Sequence, residues 1–218
     1  LCIIGAGVIG MEFASIYRSF GCEVTVVEFL KECLPALDSD IAKRLRKQLE
    51  QRGVQFALQS GVTKIEQLEG NTLRVHYQKK GKDAFADAEL VLMATGRAAN
   101  VGSLSLENTE IAYTKAGITV DENMQTNVPG VYAIGDVNGK QMLAHAATFQ
   151  GFRAVNHIVG HADRILFNIV PAAIFTHPEV GSVGLSEDQC KEQGMAYKCR
   201  KGYYRSNGKA HAGNATEG

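Results

Sequence analysis

Gly5, Gly7 and Gly10 follow the apolar run Leu1-Cys2-Ile3-Ile4, and one carboxylate, Glu28, closes the next apolar run at residues 22–27. A strand that delivers Gly5 and Gly7 into a tight turn lets bare backbone approach a pyrophosphate. The helix after it aims unsatisfied N–H groups and its positive dipole end at the phosphate charge. Gly10 then allows that helix to lie close on the sheet. Glu28 stands where a carboxylate can accept hydrogen bonds from the 2′ and 3′ hydroxyls of an adenosine ribose, and its charge would repel a 2′-phosphate. The chemistry expected of these residues is binding of NAD rather than NADP.

A glycine pattern alone is weak, and the order of elements around it gives it weight. Ile9, Phe13, Ile16 and Phe20, at three- and four-residue spacing, predict a helix over 8–20 that ends at Gly21. A second helix is expected from Ser39 to Arg52, with Ile41, Leu45 and Leu49 on one face and Gly53 at its exit. Val54 to Ala57 returns to the sheet. Alternating Leu73, Val75 and Tyr77, the turn at 79–82 and the return through 84–88 read as a β-meander. The run from Glu89 to Thr95 reads as a central parallel strand covered on both faces, with Gly96-Arg97 at the carboxyl end where ligands of doubly wound sheets sit.

Residues 98–130 are mixed and read as a segment leaving the first domain. A short buried strand is expected at Val131 to Ile134, ending in Gly135-Asp136, and an apolar helix from the Met142–His145 stretch to about Val159. The last third predicts strands at 173–175, 180–183, 197–204 and 209–215. Between them a helix over 187–193 is expected, with Ser186 and Gln189 as a capping box and Gly194 at its exit.

Twenty-three basic residues balance twenty-three acidic ones, and 45% of the chain is hydrophobic. That balance supplies no field for polynucleotides or an anionic membrane, and no apolar run is long enough to span a bilayer. A cytoplasmic protein is expected, without nucleic-acid or membrane partners. Cys2, Cys22, Cys33, Cys190 and Cys199 show neither C-x-x-C spacing nor a secreted disulfide framework, so reduced thiols and no metal site are expected. The chain starts without Met inside a strand and stops without a closing element, which leads us to expect a segment of a longer polypeptide.

Taken in order, Gly5 to Glu12, Glu28, residues 94–97 (Ala-Thr-Gly-Arg), 130–136 (Gly-Val-Tyr-Ala-Ile-Gly-Asp), 142–145 (Met-Leu-Ala-His) and 175–185 resemble the pyridine nucleotide-disulfide oxidoreductases along essentially the whole chain. The resemblance implies an α/β fold in three parts. These are a Rossmann-like NAD domain with a β-meander over 1–101, a returning segment of an FAD-binding domain over 102–168, and the start of an α+β dimerisation domain over 169–218. It implies that Gly5, Ala6, Gly7, Val8, Ile9, Gly10, Met11 and Glu12 cradle the NAD pyrophosphate and reach toward the nicotinamide ribose. Glu28 would hold the adenosine ribose, Val62 would line the adenine pocket, and Gly96 would approach the nicotinamide end. Asp136 would meet the ribityl and pyrophosphate region of FAD, and Met142, Leu143, Ala144 and His145 would bring backbone near the flavin ring.

Within the family the pattern is most similar to the branch that oxidises protein-bound dihydrolipoyl groups. That implies a homodimer serving the lipoyl domains of 2-oxo acid dehydrogenase or glycine-cleavage complexes. The family's redox Cys-x4-Cys pair and its His-Glu acid/base pair have no counterpart here, so no catalytic residue is assigned; His177-Pro178-Glu179 is read as structural. Ala98-Ala99-Asn100 and Ala146-Ala147-Thr148 depart from the commonest pattern without removing a backbone contact. A soluble transhydrogenase, another NADH-linked flavoprotein reductase, or a nucleotide-binding module without turnover remain as alternatives. Family members that use NADP need basic residues where Glu28 stands.

Overall fold

The computed structural model describes residues 1–218. Four short parallel strands, β1 (Cys2–Ile4), β2 (Val24–Val27), β3 (Val54–Ala57) and β7 (Val91–Met93), lie in the order β3-β2-β1-β7. Helix α1 (Val8–Ser19) carries the chain from β1 to β2, and α2 (Ser39–Gln51) carries it from β2 to β3. The meander β4 (Ser60–Gln67), β5 (Leu73–Lys79) and β6 (Lys82–Ala88) fills the step from β3 to β7.

Strand alternation decides which side chains meet which layer. Ile3, Val24, Val26 and Val54 join Met11, Ala14, Ala42, Leu45 and Leu49 of the helices in one core cluster. Cys2, Ile4, Val27 and Ala57 point to the other face, against Val75, Val62, Tyr77, Ala86 and Ala88 of the meander. The result is a three-layer sandwich in which a fully buried side chain such as Leu49 contributes about 2 kcal/mol.

Two expectations about faces need correction. The Ile9, Phe13, Ile16, Phe20 stripe marks α1 but does not bury it: the helix packs through Gly10, Met11, Ala14 and Ser15, and Phe20 is 76% exposed. The cause is proximity. A Cβ at Gly10 would stand 2.0 Å from the Gly5 carbonyl oxygen, so the helix lies close on the sheet at Gly10, with Met11 filling the core beside that contact. On α2 the inward residue is Ala42, and Ile41 faces outward. The apolar run at 89–95 is likewise an edge strand, β7, with Met93 60% exposed, because its only sheet neighbour is β1.

Beyond β7, Leu106, Ile118 and Ala133 form a third small core over a hairpin of β8 (Tyr113–Thr114) and β9 (Gly117–Ile118). The expected strand at 131–134 is absent as a ladder: Tyr132 makes a single bridge with Gln125, and Val131 and Ile134 are exposed. A 3₁₀ turn at Gly135–Asn138 follows, then α3 (Ala144–Ile158). Strands β10 (Ala172–Ile174) and β11 (Val180–Ser182) pair antiparallel, and Ile174 enters the core of the helix layer. His177-Pro178-Glu179 forms their connection.

The chain divides into two compact units, Leu1–Gly184 and Leu185–Gly218. In the second, α4 (Glu187–Glu192) carries the expected capping box between Ser186 and Gln189. The strands expected at 197–204 and 209–215 do not form. Instead α5 (Gly208–Ala212) is capped by the Asn207 side chain, which accepts from the Lys209 and Ala210 N–H groups. Such a local cap satisfies backbone donors that a strand could satisfy only with a neighbouring strand. No helix is long and apolar enough to cross a membrane.

Candidate dinucleotide and flavin sites

The strand order reverses between β1 and β7. β2 and β3 lie on one side of β1 and β7 on the other, and such a reversal opens a crevice at the carboxyl ends of the strands. Gly5 to Gly10 lines one side of this crevice and Gly96 follows the other strand. Gly5 lies at φ +103, and a Cβ there would stand 2.4 Å from the Ala94 carbonyl oxygen. Gly7 differs: its backbone is ordinary extended geometry, φ −72 and ψ −175, and a Cβ there would meet nothing within 4 Å. The protein does not require glycine at position 7. An occupant of the space beside it would.

Both neighbouring turns brace the loop. Gly5 N–H donates to the Val27 carbonyl at 2.9 Å, and Leu34 N–H donates to the Ala6 carbonyl at 2.9 Å. The Glu28 carboxylate accepts from Ala6 N–H through Oε2 at 2.6 Å and from Leu30 N–H through Oε1 at 2.7 Å. Glu28 is only 9% exposed, and each of its oxygens retains a second lone pair for a hydroxyl donor. Ala6 N–H is thus committed to Glu28. The donors left for an anion are those of the first turn of α1, at Val8, Ile9 and Gly10, which have no intrahelical acceptor.

The other expected residues fall as follows. Met11 is fully buried in the helix-layer core, so its side chain packs. Glu12 lies on the second turn of α1, where its Oε1 accepts the Phe175 N–H at 2.8 Å; nearby, His177 N–H donates to Ser15 Oγ at 2.9 Å. These bonds tie α1 to the β10–β11 hairpin. Val62 sits at the start of β4, half-buried against the meander-side core. Cys2 and Cys33 are buried thiols, pushed up by burial to about 11 and about 12, and none of the five cysteines forms a disulfide.

A second cluster surrounds the Gly135–Asn138 turn. Gln150 of α3, itself buried, accepts Gly135 N–H at 2.7 Å and Asn138 Nδ2 at 2.8 Å through one oxygen. Asp136 projects from this held turn and pairs with Arg97, the residue after Gly96. The sequence points to Arg97 only as the neighbour of Gly96 past a strand's carboxyl end, without a role of its own, and it does not single out Gln150. His145, in the first turn of α3, donates from Nε2 to the Pro171 carbonyl at 2.7 Å. Gln141 donates to the Phe167 carbonyl, while its buried Oε1 has no partner. An unmatched buried acceptor beside Met142–His145 suits a ligand with N–H or O–H donors.

The family model for pyridine nucleotide-disulphide oxidoreductases matches residues 1–151, and the model for the dimerisation domain of the same family matches residues 170–218. The chain belongs to the pyridine nucleotide-disulphide oxidoreductases. Among curated relatives, dihydrolipoyl dehydrogenase 1 of Arabidopsis thaliana mitochondria is 38% identical over the whole chain, which covers 43% of that protein. Leghemoglobin reductase of Glycine max is 39% identical, with 42% of it covered, and dihydrolipoyl dehydrogenase of Chlamydia pneumoniae is 37% identical, with 46% covered. Two solved structures align over the full chain. LpdA of Mycobacterium tuberculosis gives a TM-score of 0.88 at 29% identity, with 47% of it covered. The HOCl-induced flavoprotein disulfide reductase RclA of Escherichia coli gives 0.87 at 30% identity, with 49% covered. The chain therefore spans less than half the length of each. FAD and a nicotinamide dinucleotide are the cofactors of this family. The open space at Gly7, the free N–H groups of α1 and the unpaired Gln141 oxygen are compatible with both.

Proposed function

We propose that this chain is the nucleotide-handling part of an NAD-linked flavoenzyme that oxidises protein-bound dihydrolipoyl groups. The observation that carries the NAD assignment is the Glu28 carboxylate at the end of β2, bonded to the glycine turn and with lone pairs left for ribose hydroxyls. A 2′-phosphate would meet this largely buried anion, where repulsion is screened less than at an open surface. The relatives named as dihydrolipoyl dehydrogenases support the substrate class.

In this reading the N–H groups at Val8 to Gly10 hold the pyrophosphate, with Gly7 leaving room for it. Glu28 holds the adenosine ribose, Val62 borders the adenine, and Gly96 admits the nicotinamide end. Glu12, already fixed to Phe175 N–H, keeps α1 and the β10–β11 hairpin in register beside that end. Asp136 accepts from hydroxyls of the flavin side chain, Arg97 offsets the neighbouring phosphate charge, and residues 142–145 border the ring. Bound together, the two cofactors supply hydride transfer, while the protein orients the rings and controls access. Residues 1–101, 102–168 and 169–218 serve as NAD-binding, FAD-binding and dimer-forming parts, in a cytoplasmic homodimer that meets lipoyl domains.

Reading the coding DNA on both sides of this segment tests the substrate class. An upstream Cys-x4-Cys beside a second glycine-rich motif, with a downstream His and Glu, is the expected result. A flavin motif without the cysteines would redirect the reading to a transhydrogenase or another NADH-linked flavoprotein.

A further inference from the structure

Phe29 directly follows Glu28 and is 76% exposed. An exposed ring on a mobile loop would mean little, but this one is fixed on both sides. Glu28 carbonyl accepts Ser60 N–H at 2.8 Å, and Leu30 carbonyl accepts Gln59 N–H at 3.0 Å, so residues 28–30 continue the β2 line alongside residues 59–60. Leu30 N–H is also held by Glu28 Oε1. Beneath the ring lies Gly61: a Cβ there would touch the Phe29 ring at 3.6 Å, so the ring rests on bare backbone next to Val62. The chain thus mounts a flat apolar surface rigidly and leaves its outer face in water, at the carboxyl end of the strand whose last carboxylate addresses the ribose.

We propose that the Phe29 ring is the stacking platform for the adenine base of the bound dinucleotide. The inference rests on the nucleotide reading of Glu28 and adds the base to it. A purine joined to a ribose held by Glu28 lies within one residue's reach of this ring, and a base stacked on an aromatic face requires no further hydrogen bonds. Stacking would cover the ring that the fold itself leaves open. It would also make affinity depend on the adenine half of the ligand.

The test uses the 218-residue chain with two probes: ADP-ribose, which carries the adenine, and reduced nicotinamide mononucleotide, which does not. With the native chain, the adenine H2 and H8 resonances of ADP-ribose should move upfield through the ring current. Phe29→Ala should abolish that shift and weaken ADP-ribose by about tenfold, a typical loss when a base-stacking aromatic is truncated, while leaving the mononucleotide unchanged. Phe29→Leu, which keeps apolar bulk without a ring, should lose the ring-current shift, and Phe29→Tyr should retain both shift and affinity. Native-like ADP-ribose binding and adenine shifts in Phe29→Ala would overturn the proposal alone, identifying the ring as a surface covered by polypeptide. Failure of the native chain to bind ADP-ribose or NADH would overturn the nucleotide reading itself, and this proposal with it.

Discussion

Glu28 Oε2 accepts the Ala6 N–H at 2.6 Å, so the residue that closes β2 also holds the turn that follows β1. Its other oxygen holds Leu30 N–H at 2.7 Å. Removing the carboxylate leaves two backbone donors without their acceptor. Glu28→Ala should lower the unfolding free energy by about 2 kcal/mol, and Glu28→Gln, which keeps one acceptor oxygen, by less. Urea denaturation of the two variants measures this. Equal stability of Glu28→Ala and the native chain would mean that water replaces the carboxylate at no cost.

The three loop glycines separate by what surrounds them. A Cβ at Gly10 would collide with the Gly5 carbonyl oxygen at 2.0 Å, so Gly10→Ala should destabilise the chain by about 3 kcal/mol as an overpacked site. Gly7 has open space, and Gly7→Ala should change stability by no more than about 1 kcal/mol. The same substitution should weaken NADH by at least about tenfold, or roughly 1.4 kcal/mol. Thermal melts paired with NADH titrations give both numbers. Undiminished NADH binding in Gly7→Ala would show that no phosphate lies beside residue 7.

Burial pushes the Cys2 thiol up to about 11 and the Cys33 thiol up to about 12, the latter also raised by the neighbouring Glu32 charge. At pH 8 neither should react with a disulfide reagent in the native state, because the thiolate is the reactive form. Exposed Cys199 should react first. Mass-spectrometric mapping of labelled thiols along a urea titration should show Cys2 and Cys33 labelled only as the sheet unfolds.

Asp163 is held at about 2 by hydrogen bonds from Arg153 and by the Ile165 N–H, below its ordinary value of 3.8. A carboxyl whose folded value is depressed stabilises the fold above its unfolded value and loses that contribution as pH falls toward the folded one. The contribution is therefore complete above about pH 5 and disappears between about pH 4 and pH 2. Arg153 also donates to the Ile165 and Glu122 carbonyls, so this pair anchors α3 to its flanking loops. Asp163→Asn should flatten the acid limb of the stability curve in that window. An unchanged acid limb would assign acid unfolding to other carboxylates.

Much of this arrangement was legible in the residues themselves. The strand, glycine turn, helix, strand and acid order, the meander, and the capping box at Ser186 all follow from local chemistry, and they form as expected. What was not legible depends on approach distances between elements remote in sequence. Apolar spacing located α1 but not its buried face, because the close approach of Gly10 to Gly5 turns Gly10, Met11, Ala14 and Ser15 inward. The run at 91–93 has the composition of a covered strand whether or not a neighbour covers it, so the edge position of β7 could not be read from it. The bonds from Glu12 to Phe175 and from Gln150 to Gly135 join residues that no short motif connects.

Titration of the 218-residue chain with NADH and NADPH, followed by calorimetry, tests the central claim most directly. The account predicts that NADH binds more tightly than NADPH by at least about tenfold, a difference of roughly 1.4 kcal/mol, and that Glu28→Ala removes most of that difference. Equal affinities for the two nucleotides in the native chain would contradict the role given to Glu28 and, with it, the NAD-linked reading.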